Sequence, residues 1–310
     1  MTAPMTAPAG AQSFPDKPIR FVVAFTPGGG ADISARIIAQ KVSELLEQPM
    51  IVDNRPGAGG NIAADVVAKS APDGYTLLQT TVAHAIGHSL YKKLTYDYLK
   101  AFIPVTSLGS TGFVLAVNKA TPVHSVAEFI AYARSYPGEL DYSSSGIGGP
   151  SHLATELFNS MTGIKMQHIP YKGVSPAVTD LMGGRVQVTF VALPTALPLM
   201  QAGEIRGLGL SSAARSELAP DLPTIAESGL PGFEATTWYG ALAPTGTPPA
   251  IIDKLDSAFS RALEDSGVRA RLREQGFDLH PRTRQEFAAY IKSETEKWAR
   301  IVNAIGASIE

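Results

Sequence analysis

The sequence predicts an α/β protein built as two lobes around a cleft. Three observations carry this expectation. Apolar runs alternate with segments whose apolar residues recur at helical spacing. Several of those runs end in a glycine- or serine-rich corner that leads directly into a helix. Two such corners fall in two separate α/β units, and ligands of α/β sheets bind at the carboxyl ends of strands.

The first corner lies in Phe21 to Arg36, FVVAFTPGGGADISAR. Ile19 to Phe25 reads as a buried strand, closed by Thr26-Pro27 and followed by Gly28, Gly29 and Gly30. From Ala31 onward, Ile33, Ile37, Ile38, Val42 and Leu45 share one helix face. A helix start presents unpaired N–H groups and the positive end of the helix dipole, which suits a carboxylate or phosphate. Glycine accepts positive φ and lets a ligand approach the backbone. The spacing is not a dinucleotide fingerprint, because Ile33 stands where a third glycine belongs. No Gly-Lys-Ser/Thr follows, so a P-loop is excluded. Taken locally, the corner is either a tight strand–helix joint or an anion site. Asp32, in the first turn, either caps N–H groups itself or touches a ligand donor.

Composition narrows the function. A chain of 310 residues, 45% hydrophobic, supports one large or two medium domains with a substantial core. Net charge is −2 and the basic residues are scattered, which speaks against nucleic acid and a basic membrane face. There is no cysteine, so disulfides, thiolate nucleophiles and Cys-ligated metals are excluded. An oxidising compartment fits that absence. Residues 1–16 repeat Met-Thr-Ala-Pro and lack an apolar core. They read as a disordered leader or the remnant of a processing site, with Ala9-Gly10-Ala11 resembling a cleavage pattern. No apolar run reaches the roughly 18 residues of a membrane span.

Along the chain, Met50 to Val52 is a second strand, and Asp53 to Gly60 a second glycine corner before a helix from Asn61 to Lys69. Tyr75 to Leu78 gives a third strand ending at Thr80-Thr81, with a short helix from Ala83 to Leu90. This alternation predicts a mostly parallel sheet. Phe102 to Val105 and Phe113 to Val117 read as two further strands, and Asn118 to Pro122 as a crossover. A new unit opens at Ser125. Its strand, Leu140 to Tyr142, runs into Ser143-Ser144-Ser145-Gly146-Ile147-Gly148-Gly149-Pro150-Ser151-His152, the same device as the first corner. Gln167 to Pro170, Val186 to Val191 and Ile205 to Leu210 are strands. Pro176 to Met182 is a helix capped by Ser175, Leu193 to Met200 is helical, and Thr224 to Glu227 is a short helix. Thr237 to Pro244 marks a second crossover. The helices after Pro249 and from Arg284 are expected to pack back onto the first lobe. The lobes are then 17–118 plus 236–310, and 119–235.

The chemistry tests are negative. His84 and His88 share a helix face without a third ligand, so no metal is expected. Neither Ser145-Gly146 nor Ser151-His152 matches a nucleophile elbow. The serines of the second corner read as hydrogen-bond donors, and His152 as satisfying local backbone groups.

These stretches also carry a resemblance. The chain resembles the tripartite tricarboxylate transporter substrate-binding proteins, the Bug family of bacterial periplasmic receptors. The matching stretches are Phe25 to Asp32 with Ala35-Arg36, Val52 to Asn61, Pro72 to Leu78, Tyr142 to Ser144 with His152 to Ala154, Pro170 to Gly173, Asp180 to Gly184, Leu230 to Phe233 and Trp238 to Gly240. Together they span nearly everything after Pro18. The resemblance implies a two-lobed Venus flytrap of the type II-like periplasmic-binding-protein fold with two crossovers. It implies a monomeric, non-enzymatic periplasmic receptor that hands a small carboxylate or dicarboxylate to membrane permease subunits, without cofactor or metal. Thr26, Pro27, Gly28, Gly29, Gly30, Ala31 and Asp32 would clasp a carboxylate against Ser144, Ser145, Gly146, Gly149, Ser151 and His152. Thr80, Thr81 and His84, with Val191, Ala192 and Thr195, would select the rest of the ligand. The chain departs from common family forms at Thr26, Thr80 to His84 and Ser145 to Pro150. The rival readings are a hydrolase or lyase using Ser145 or His152, and an effector-sensing module.

Overall fold

The computed structural model describes residues 14–279, 282–304 and 306–309. Most of the expected leader, residues 1–13, lies outside them. Residues 14–16 depart from the leader expectation. The Phe14 ring packs edge-on against Tyr75 at 5.0 Å, and the Tyr75 hydroxyl donates to Asp16.

Strand β1 (Ile19–Val23) lies between β2 (Met50–Asn54) and β3 (Thr76–Thr81), parallel to both. Its residues alternate between two cores, as a strand's period of two requires. Ile19, Phe21 and Val23 face one core and Val22 the other. Helices α1 (Gly30–Leu46), α9 (Pro249–Glu264) and α10 (Ser266–Glu274) close the first face, with Phe21 against Phe259 at 5.7 Å. Helices α2 (Asn61–Ala68), α3 (Val82–Leu90) and α11 (Arg284–Ala304) close the second. There, buried Glu294 accepts hydrogen bonds from the Trp238 and Trp298 indoles, each 3.1 Å, so both large side chains are buried with their polar atoms satisfied. The C-terminal helices thus pack on the two faces of β1 and its neighbouring strands.

The second lobe carries β5 (Asp141–Ser144), β6 (Gln167–Pro170), β7 (Val188–Ala192) and β8 (Ile205–Leu210). Helices α5 (Val126–Ser135) and α6 (Pro150–Thr162) cover one face, and α7 (Val174–Met182) and α8 (Leu193–Gln201) the other. Two long strands join the lobes. Strand β4 (Phe102–Asn118) pairs antiparallel with β9 (Thr236–Pro244) over Phe102 to Gly112, then with β7 and β8 from Phe113 onward. A short helix, α4 (Tyr98–Ala101), precedes β4.

Four expectations change. The sheet is mixed rather than mostly parallel, because the crossing strands β4 and β9 run in opposite directions beside each other. The two strands expected at Phe102 and Phe113 are one. The polar stretch Thr106 to Gly112 stays extended because β9 pairs with it, through register shifts near Pro104 and Ser107. Gly109, at φ 122°, sits where a Cβ would come within 2.8 Å of the Asp278 carbonyl. Helix α7 begins at Val174 behind Gly173, not at Pro176 behind Ser175. Thr224 and Glu227 close a turn through reciprocal side chain–backbone bonds, not a helix.

Candidate functional site

The two glycine corners of the first lobe are tied to each other by Asp32 and Asn54. Asp32, 4% exposed, accepts from the Gly28 N–H at 3.0 Å, from the Arg36 guanidinium at 2.9 Å, and from the Asn54 amide at 3.0 Å. Asn54 also donates to the Phe25 carbonyl at 2.9 Å. Burial alone would raise the Asp32 pKa, but the bonds from Arg36, Gly28 and Asn54 outweigh it and hold the carboxyl below its usual range. Asp32 therefore shapes the corner from behind, and the exposed Arg36 folds back to pair with it.

In front of that corner, between the lobes, lies a cavity of about 60 Å³. Gly29, Gly30, Ala31 and Thr81 face it from the first lobe, and Ser145, Ser151, Val191 and Ala192 from the second. These eight were all expected from the sequence. Thr26 and Gly146 instead line an adjoining groove of about 500 Å³ between the lobes. Pro27 and Gly28 are exposed on the outer side of the turn, where the Pro27 carbonyl meets the Ser175 hydroxyl at 3.5 Å. Gly149 immediately precedes α6.

Other expected residues stand elsewhere. Successive strand residues face opposite ways. Thr81 faces the cavity, whereas Thr80 turns inward to share a 2.7 Å hydrogen bond with the Tyr98 hydroxyl. His84 is fully buried, accepts from the Thr81 N–H at 3.1 Å and reaches the Gly60 carbonyl at 3.3 Å. Ser144 pairs with His168 at 2.6 Å behind the second corner. His152 accepts from the Gly148 N–H at 3.0 Å and stacks on His168 at 4.0 Å. Thr195 lies in the first turn of α8 and does not line the cavity; its buried hydroxyl has no partner among the described residues.

Sequence reasoning missed Phe25, Phe113, Phe190, Val174, Thr237 and Tyr239, all of which line the cavity. The missed signal was the period of two in β9. Thr237 and Tyr239 point to the cavity while Trp238 points into the core, edge-on to Phe287. Tyr239 also explains Gly30, where a Cβ would stand 2.9 Å from the tyrosine hydroxyl.

No charged side chain and no histidine lines this cavity among the described residues. Its polarity comes from hydroxyls and helix starts. The N-termini of α1, α6, α7 and α8 all reach the cavity wall, behind Gly29, Gly149, Gly173 and Ala192, and none has a side-chain cap. Helices α4, α5 and α10, elsewhere, are capped by Asp97, Ser125 and Asp265, and α3, at the cavity, by Thr81, whereas α2 and α9 have no side-chain cap. Each uncapped start carries a partial positive charge of about half a unit and unpaired N–H groups. Four such ends around a cavity with no charged lining among the described residues have the electrostatics that suit an anion. No cluster of three or more His, Asp or Glu able to hold a metal occurs among the described residues.

Burial pushes His84, His152 and His168 each down to about 4, with His152 adding to the effect on His168. Unfolding releases them to about 6.5. The unfolded chain then binds more protons between those values, so stability is complete above pH 6.5 and falls as pH drops towards 4. Thermal melting should show this decline beginning below pH 6.5. A melting temperature flat from pH 6.5 to 5 would contradict the neutral assignment.

Comparison with known proteins identifies the family. The family model described as "Tripartite tricarboxylate transporter family receptor" (TctC) matches residues 34–307. Protein BugT of Bordetella pertussis is 38% identical over 311 residues, covering 100% of this chain and 95% of BugT. The solved structure of R. palustris Rpa4515 with adipate is 40% identical at TM-score 0.92, covering 95% of this chain and 99% of that one. MatC from Rhodopseudomonas palustris with bound malate is 34% identical at TM-score 0.88, covering 93% and 100%. The chain belongs to the tripartite tricarboxylate transporter receptor family that includes the Bug proteins, two-lobed solute-binding receptors and not enzymes.

Proposed function

We propose that this receptor captures a small carboxylate in the cavity between its lobes and delivers it to the membrane permease of a tripartite transporter. The reading places it in the periplasm as a monomer. No helix among the described residues is long and apolar enough to cross a membrane. The lobes divide where β4 changes partners, between Gly112 and Phe113, and again where β9 begins at Thr236.

One observation carries the proposal: four uncapped helix starts and the hydroxyls of Ser145, Ser151 and Thr237 surround a cavity without any charged side chain. Such donors neutralise a carboxylate without a matching cation. Closure removes water, and in a dry site an unmade hydrogen bond is expensive, so the anion holds the lobes shut. The walls Phe113, Phe190, Val174 and Val191 accept the apolar part of the ligand. On the scale where one water needs about 10–15 Å³, 60 Å³ suits a short aliphatic chain better than an aromatic ring. The neighbours bound to adipate and malate support the same class.

Mass spectrometry of ligand released from the purified receptor, followed by calorimetry with mono- and dicarboxylates, tests this. The expected result is one small carboxylate bound per chain and recovered unchanged. Absence of binding across the panel, or turnover of any member, would overturn it.

A further inference from the structure

We infer that Phe25 sets the length of ligand this receptor accepts, by walling the 60 Å³ cavity off from the 500 Å³ groove beside it. The inference rests on the carboxylate reading above and adds a specificity residue to it. Phe25 and Ser145 are the two residues that line both volumes. Ser145 is small, and its N–H and hydroxyl both engage the Ser151 hydroxyl, at 3.1 and 3.2 Å. The bulk of the partition is therefore the Phe25 ring.

That ring is held in place from two directions. Its own carbonyl accepts from the Asn54 amide at 2.9 Å, which fixes the backbone at the end of β1. The half-buried side chain packs against both cores of the first lobe. Fixed in this way, it limits how far a ligand chain can extend past the helix starts.

The two volumes differ in chemistry. The cavity has no charged lining, whereas the groove has one charged lining residue among those described, Lys172, which is exposed and has no hydrogen-bond or ion partner there. A short carboxylate fits wholly inside the cavity. A long α,ω-dicarboxylate has to pass the position of the Phe25 ring, and its second carboxylate would then lie in the groove that holds Lys172. Phe25 thus selects short carboxylates by excluding long ones, a specificity built by obstruction.

The test is the affinity of wild type and Phe25→Ala for butanedioate, hexanedioate, octanedioate and decanedioate, with a melting curve for each protein. Phe25→Leu, which keeps more of the packing against the two cores, serves if the alanine variant does not fold. The ratio of decanedioate to butanedioate affinity should rise by about tenfold or more in the variant. Adding Lys172→Ala should then weaken decanedioate by roughly threefold, the size expected of an exposed ion pair, and leave butanedioate unchanged. The same length profile in wild type and variant overturns the inference, and so does indifference of the long ligand to Lys172. Failure of both proteins to bind any member of the series overturns the underlying carboxylate reading instead.

Discussion

Asp32→Ala should destabilise the receptor by about 2–3 kcal/mol and weaken ligand binding by roughly a hundredfold, as loss of a buried charged hydrogen-bonding hub does. Asp32 is 4% exposed, and its carboxylate joins four parts of the first lobe: the Gly28 N–H, the Arg36 guanidinium, the Asn54 amide and, through Asn54, the Phe25 carbonyl. Its removal takes the acceptor from the Gly28 N–H and one of the two from the Asn54 amide, which keeps the Phe25 carbonyl. Arg36, whose side chain is 53% exposed, can turn to solvent, which limits the penalty. The effect on binding comes from geometry, because the N–H groups at the start of α1 are aimed by the turn that Asp32 closes. Asp32→Asn keeps the shape but loses charge towards Arg36, and should fall between wild type and alanine. Because the Asp32 pKa is lowered in the folded state, its contribution is complete above about pH 4 and lost as pH falls further. Chemical denaturation with parallel calorimetry measures both quantities. Wild-type affinity in the alanine variant would show that the corner holds its shape without the carboxylate.

Gly173→Ala should act on closure. Gly173 precedes α7 at φ 130°, and a Cβ there would lie 2.5 Å from the Thr26 hydroxyl of the other lobe and 2.9 Å from its methyl. The backbone strain lies within the second lobe, so it lowers the melting temperature whether the cleft is open or shut. The clash with Thr26 exists only when the lobes meet. Overpacking of this kind costs about 2 kcal/mol, or roughly a thirtyfold loss of affinity. Thr26→Ala in the same chain removes both colliding atoms and should restore part of that loss. Alone it should be nearly neutral, since the Thr26 hydroxyl is buried without a partner among the described residues. If the double variant binds as weakly as Gly173→Ala, the collision between lobes is not what weakens binding.

The parts of the fold legible in the sequence were those with local causes. The run Ile19 to Phe25 with its glycines announced a strand and a helix start, and the serines after Tyr142 announced the facing one. The amphipathic face of Ile252, Leu255 and Phe259 announced a helix that needed a lobe to cover. What the sequence hid depends on pairing across distance. Nothing local shows that Thr106 to Gly112 stays extended, because β9 supplies its hydrogen bonds from far along the chain. The candidate site divides in the same way. The backbone corners could be named, since glycine, proline and serine declare them. The direction of each side chain could not. Thr80 and Thr81 look equivalent as letters, yet one is satisfied by Tyr98 inside the lobe and the other faces the cavity. Tyr239 was passed over for the same reason, although its hydroxyl is what leaves no room for a side chain at Gly30.

In the proposed site, helix starts and neutral hydroxyls hold the anion, with no cationic side chain. A crystal structure of the receptor with its co-purified ligand, or with butanedioate, tests it most directly. Carboxylate oxygens are expected within hydrogen-bonding distance of the N–H groups at the start of α1 and of the Ser145 or Ser151 hydroxyl, with no lysine, arginine or histidine in contact. A carboxylate paired to such a side chain, or seated outside the cavity, would contradict it.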